Sequence, residues 1–171
     1  MNLQRTIRNA YIVCIVALMA SCTSPSSTDE ELLFEETNTV AELEYVQLSD
    51  KEEAFFNMGI DHRESIGLDR LIYDGVTYAF AFEHNEYMIG QGEMSHDNFT
   101  DRASKISDQT SANFVAENVA KDFEYSEAAL QAWLSSEGHR NNIEGDFTHT
   151  TLSIVSDSEG NFYYTQIFFR N

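Results

Sequence analysis

The chain has 171 residues but only two cysteines, one proline and one tryptophan, and it sets ten basic side chains against 29 acidic ones. Both cysteines, Cys14 and Cys22, lie in the first 22 residues. The remainder carries no thiol, which excludes disulfide staples, thiol redox chemistry and a cysteine nucleophile there. Its stability has to come from packing. The formal net charge of −19 and the lack of any basic stripe exclude nucleic acid as a partner, because such a surface repels phosphate. No apolar run is long enough for a permanent membrane span: residues 10–20 fall short of the ~20 apolar residues that a spanning helix needs.

That short apolar run fits another use. Arg5 and Arg8 precede it, and Leu18-Met19-Ala20-Ser21-Cys22 closes it in a pattern that resembles a lipobox, with Met19 where leucine is commoner. Residues 1–21 are therefore expected to be a lipoprotein signal peptide, and Cys22 the lipidated N-terminus that tethers the protein without a spanning helix. An ordinary secretory peptide or an uncleaved anchor is the alternative. Residues 22–48 are expected to form a flexible acidic stalk: a polar stretch holds the sole proline, Pro25, and residues 29–44 carry seven acidic side chains and no basic one. Residues 49–171 are long enough for one domain with its own core. The protein is expected to be exported and anchored to the bacterial envelope, periplasmic or at the cell surface, as a monomer.

Within residues 49–171, helix and strand signals alternate. Ser49-Asp50-Lys51-Glu52 has the S-x-x-E form of a capping box and predicts a helix start. Phe55, Met58, His62 and Ile66 follow at near-helical spacing, and Gly67 ends the run. A second helix is predicted over residues 74–89, with Val76, Ala79, Phe80, Glu83 and Tyr87 on one side. Gly90 and Gly92 should break it and deliver Met94-Ser95-His96 onto a loop. A shorter helix is predicted over 100–106, a strand over 112–120, and a helix capped by Ser126 that carries Ala129, Leu130, Trp133 and Leu134. Residues 151–155 and 162–169 flank the turn cluster Asp157-Ser158-Glu159-Gly160-Asn161 and predict a hairpin. The class expected is α+β, a three-layer α-β-α sandwich whose small antiparallel sheet is flanked by helices.

The stretch Trp133-Leu134-Ser135-Ser136-Glu137-Gly138-His139-Arg140-Asn141-Asn142-Ile143 holds the densest chemistry. An apolar helix is expected to break at Gly138 and to set His139 and Arg140 on a turn beside a cleft. This segment resembles the signature of bacterial CAP-superfamily domains, the SCP-like extracellular group. Four further patterns follow the family's order: Arg63, Gly67, Leu68 and Leu71; Ser95-His96; Ala116-Glu117-Asn118-Val119; and Tyr164-Thr165-Gln166-Ile167-Phe168. The resemblance implies an α-β-α sandwich with a cleft at one end where the best-described members place two histidines and two glutamates. His96, Glu117 and His139 match three of these positions. The fourth falls on Ser136, and the neighbouring Glu137 would point about 100° away on a helical end. Ala116 replaces the family's usual glycine.

Two imidazoles and a carboxylate can do several things. His96, His139 and Glu117 could bind zinc as a His2Glu set with an open position, since some family members bind metal. They could serve as acid and base in a hydrolysis of envelope peptide or glycan. They could also be a conformational lock, with Glu117 holding histidines and loop amides, Arg140 pairing with nearby acceptors, and Asn141 and Asn142 tying down the turn. The residues expected to line a ligand-binding cleft are His96, Glu117, His139, Ser136, Arg140 and Asn118. A serine nucleophile at Ser135 or Ser136 lacks the G-x-S-x-G elbow, and Ser136 reads as a capping residue. The function expected is a non-catalytic binding module with a His/Glu/His cleft and an unknown envelope or extracellular ligand, with the hydrolase and a lipid-binding carrier as alternatives. Of the other histidines, His62 is expected in the core, His84 half-exposed outside any motif, and His149 in a solvated loop.

Overall fold

The computed structural model describes residues 44–171. The signal segment, Cys22 and the stalk up to residue 43 lie outside the described residues. The elements run α1 (Asp50–Ser65), β1 (Ile72–Tyr73), α2 (Tyr78–Gln91), α3 (Phe99–Thr110), β2 (Phe114–Lys121), α4 (Ser126–Ser135), α5 (Glu137–Ile143), β3 (His149–Ser156) and β4 (Phe162–Arg170).

The last strand explains why there are three layers. In β4 every residue from Tyr163 to Phe169 is buried, which requires cover on both faces of the sheet. Successive side chains of a strand point to opposite faces. Tyr164 and Phe168 join Phe55, Leu130, Trp133 and Leu152 in the core beneath α1 and α4. Ile167 and Phe169 pack with Ala81 of α2 and Ile106 of α3, and Tyr163 with Met88, on the other face. The sheet order is β1-β3-β4-β2. The β3–β4 hairpin and the β2–β4 pair are antiparallel, as expected, but β1 runs parallel to β3, so the sheet is mixed. A two-residue strand leaves no periodicity to read in a sequence.

The capping box forms at Ser49 and Glu52. Glu52 is also buried and accepts from the Ile154 amide at 2.8 Å and the Tyr78 hydroxyl at 2.9 Å, so one side chain fastens α1 to β3 and α2. Asn85 pins α2 to the sheet, donating to the Ser153 carbonyl and accepting from Thr165.

Two local expectations are corrected. The second helix begins at Tyr78, not at residue 74, because the Asp74 amide extends the ladder to Thr150 and its carboxylate accepts from the Thr77 amide. Gly75 is then passed so closely by Val46 that a Cβ would meet its carbonyl oxygen at 2.5 Å. Gly138, expected to break a helix, lies inside α5; the break is one extended residue, Ser136, at φ −93° and ψ 122°. Ser136 ends α4 and its carbonyl accepts the Arg140 amide, so the chain re-enters a helix at once. His139 and Arg140 therefore project from a helix. Gly67 and Gly92 do adopt the positive φ that favours glycine.

Candidate functional site

Glu117 lies on β2, the sheet's edge strand, and is 6 % exposed. Burying a carboxylate is costly unless it is paired and hydrogen-bonded. Arg102, buried on α3, supplies the pair: its Nε donates to Oε2 at 2.7 Å and its Nη2 to Oε1 at 2.8 Å. His96 Nδ1 sits 3.0 Å from Oε1. A carboxylate in a bidentate guanidinium contact only accepts, so Nδ1 carries the proton and donates. The His96 side chain is 53 % exposed.

His84 is the residue the sequence reading misplaced. It is 3 % exposed, not half-exposed, and its Nε2 donates to the Ser95 carbonyl at 2.8 Å while lying 3.7 Å from Glu117 Oε1. It thereby fixes the loop that presents His96. Burial pushes its pKa below the ordinary histidine value, more strongly than Glu117 raises it. The buried stripe of α2 is Ala81, His84, Asn85 and Met88, while Ala79 and Glu83, grouped on one side by the sequence reading, are exposed. That stripe has the i, i+3, i+4, i+7 spacing of a helical face, and Arg102 and Ile106 show the i, i+4 equivalent on α3. The signal was in the sequence, phased one residue away from the face chosen.

On the outer edge of β2, α4 and α5 form a clasp. Trp133 Nε1 donates to the Val119 carbonyl at 3.1 Å. Asn118 Nδ2 donates to the His139 carbonyl at 3.0 Å, and Asn142 Nδ2 to Asn118 Oδ1 at 2.8 Å and the Glu117 carbonyl at 3.2 Å. Arg140 donates to the Leu134 carbonyl at 2.9 Å, closing the end of α4. Arg140, Asn118 and Asn142 thus hold the fold around the site. The Ser136 side chain makes no capping bond.

Ser136 instead lines a cleft of about 400 Å³ with Met94, Val119, Phe123, Trp133 and His139, with Lys121 and Asp122 at its side. Its walls are mainly apolar. The half-buried His139 ring lies 6.0 Å from the Trp133 ring, and burial, then the charge of His96, pushes its pKa below the ordinary value. Its imidazole forms no hydrogen bond among the described residues. The sequence-predicted trio is therefore divided: His96 and Glu117 join with Arg102, while His139 faces the apolar cleft.

This donor set does not fit zinc. Both Glu117 oxygens face a guanidinium, and among the described residues no three His, Cys, Asp or Glu side chains are placed to share a metal ion. His62 is half-buried against Glu144 at 2.9 Å. His149 opens β3 and stacks on Phe169, 5.2 Å between rings, rather than lying in a loop.

A mixed sheet between helical layers, with a histidine-bearing cleft at its edge strand, defines an α-β-α sandwich of the SCP type. The chain belongs to the cysteine-rich secretory protein (CAP) family, whose model matches residues 59–168. It is 33% identical over 110 residues to the uncharacterized membrane protein YlbC of Bacillus subtilis (strain 168), a match covering 61% of this chain and 30% of that protein. The chain thus spans under a third of that relative's length. An outer surface protein from Borrelia burgdorferi shares the fold, with a TM-score of 0.66 at 17% identity over 74% of this chain and 96% of that one. An extracellular protein containing a SCP domain from Bacillus anthracis superposes with a TM-score of 0.62 at 26% identity, covering 74% of this chain and 45% of that one.

Proposed function

We propose that the protein is an exported lipoprotein, anchored to the bacterial envelope through Cys22, whose CAP domain is a binding module rather than a catalyst. One observation carries this reading. Glu117, the carboxylate an acid–base or metal mechanism would use, is consumed by Arg102, while the free imidazole of His139 stands in a cleft with apolar walls. A ligand with an apolar body and one hydroxyl or carbonyl fits that arrangement. The body would displace water from Met94, Phe123 and Trp133, and a neutral imidazole offers one donor and one acceptor. The apolar lining also favours the lipid-carrier form of this reading over turnover of a peptide or glycan. Export is supported by the signal-like residues 1–21 and by the surface, extracellular and membrane descriptions of the relatives.

Trp133 is the only tryptophan in the chain and part of the cleft wall, so its fluorescence reports occupancy directly. Titration of the full chain with medium-chain fatty alcohols and with envelope lipid extracts should give a saturable change. His139→Ala should weaken binding roughly tenfold, the loss of one buried hydrogen bond. No saturable change with either probe, or hydrolysis of a glycan or peptide abolished by His96→Ala, would overturn the reading.

A further inference from the structure

The cleft beside His139 has one wall made of backbone. β2 is an edge strand, and just past its end the Asp122 amide donates to the Phe162 carbonyl at 3.0 Å. Alternate residues of an antiparallel strand share such bonds with the partner strand. By the register of β2 on β4, Asn118 and Ala120 therefore bond to β4, while Glu117, Val119 and Lys121 turn their N–H and C=O to the open side. The clasp takes two of those carbonyls: Asn142 donates to that of Glu117, and Trp133 to that of Val119. Past Trp133 it stops. The Lys121 N–H and C=O have no partner among the described residues, and residues 119–123 line the cleft there.

This open edge is one residue long. Asp122 takes a positive φ of 67° and turns the backbone away, so a single donor and a single acceptor are on offer. A hydrogen-bonded residue in an antiparallel pair exchanges both bonds with one opposing residue. The complement of Lys121 is thus one extended amino-acid residue, whose N–H donates to the Lys121 carbonyl and whose C=O accepts from the Lys121 amide. Charge narrows the class further. The Lys121 ammonium is held on the α2 side, donating to the Gly92 carbonyl at 2.8 Å with its Nζ 5.1 Å from the centre of the Tyr163 ring. Asp122 borders the cleft and Glu124 follows two residues on, so a free carboxylate after the paired residue is repelled.

Resting on the reading of this cleft as a ligand site, we infer that its ligand is the acylated amino end of a peptide. The acyl chain fills the apolar space between Met94, Phe123 and Trp133, and the first residue adds to β2 as a strand of one residue against Lys121. A fatty alcohol fills the same space and leaves both backbone groups unmet.

The test follows Trp133 fluorescence of the full chain during titration with four decanoyl-chain probes. These are N-decanoylglycinamide; N-decanoylsarcosinamide, in which a methyl group replaces the amide proton; N-decanoylglycine, which ends in a carboxylate; and decanol. The glycinamide should bind at least ~10-fold more tightly than decanol, the effect of two added hydrogen bonds. It should bind at least ~5-fold more tightly than the sarcosinamide, and more tightly than N-decanoylglycine. Lys121→Pro removes the outward N–H and no ladder bond, which an edge strand tolerates, and should cut the advantage over decanol at least ~5-fold. Should proline disturb the strand, the sarcosinamide comparison carries the test by itself. Equal affinities for the glycinamide and the sarcosinamide, or no advantage over decanol, would overturn the inference and leave the apolar cleft reading standing. Tightest binding by N-decanoylglycine would overturn the assignment to a peptide, and binding by none of the four would overturn both readings.

Discussion

Glu117 shows how a buried charge can be tolerated without being reactive. Its pair with Arg102 bridges β2 and α3, and removing either partner strands the other in a low-dielectric site. Arg102→Met should therefore cost about 3–5 kcal/mol in urea unfolding, and a double variant with Glu117→Leu should recover much of it. If the single variant unfolds like the parent, the pair does not tie the two elements together. His84 and His139 add a pH dependence of definite sign. Both have folded pKa values below the unfolded value near 6.5, so each binds its proton more readily when unfolded. Their contribution is fully present above that value and is lost as pH falls from about 6.5 through the depressed folded values. The slope approaches ~1.4 kcal/mol per pH unit for the buried His84, with less from the half-exposed His139. Urea midpoints at pH 7.5, 6.5 and 5.5 measure it. His84→Gln, which keeps a donor for Ser95, should flatten the profile, and an unchanged slope in that variant would remove His84 from the explanation.

At the scale of elements, the clasp between β2 and the α4–α5 pair holds the cleft. The edge carbonyls of Glu117 and Val119, which would otherwise be open to water, accept from Asn142 and Trp133. Asn142→Ala frees both the Glu117 carbonyl and Asn118 Oδ1, and should destabilise by about 1–3 kcal/mol. Hydrogen exchange should accelerate in α5 well before it does in β4; uniform acceleration would mean that α5 does not open on its own. This is also where the sequence was most and least readable. Ser49 and Glu52 announced α1 because a capping box is a local exchange of two bonds, and the β3–β4 hairpin showed because its turn residues are local as well. The four matched motifs and the Trp133–Ile143 segment located His96, Glu117 and His139. Arg102 and His84 escaped because their roles depend on which face of α3 and α2 meets the sheet, a tertiary fact. A one-residue error in phase turned His84 outward and took the Glu117 network with it. Gly138 misled for the opposite reason: a glycine permits a break without requiring one, and Ser136 made the break with ordinary backbone angles.

For the whole molecule, charge and packing act against each other. A net charge of −19 on 171 residues, with no disulfide available to residues 44–171, leaves the core to withstand the self-repulsion. Exposed charges are screened over a Debye length of ~8 Å at physiological ionic strength, whereas the pair between Glu117 and Arg102 is shielded from salt by its burial. Raising sodium chloride from 0.05 to 0.5 M should therefore raise the melting temperature by a few degrees, roughly what ~1 kcal/mol gives in a domain of this size. The gain should persist in Arg102→Met, because the repulsion is spread over the surface and does not pass through that pair. A melting temperature that falls with salt would mean that surface ion pairs such as Arg70–Glu64 and Lys105–Asp101 outweigh the repulsion. The acidity then bears on binding. A negative surface repels anionic ligands at long range while leaving the apolar cleft beside His139 open to neutral ones.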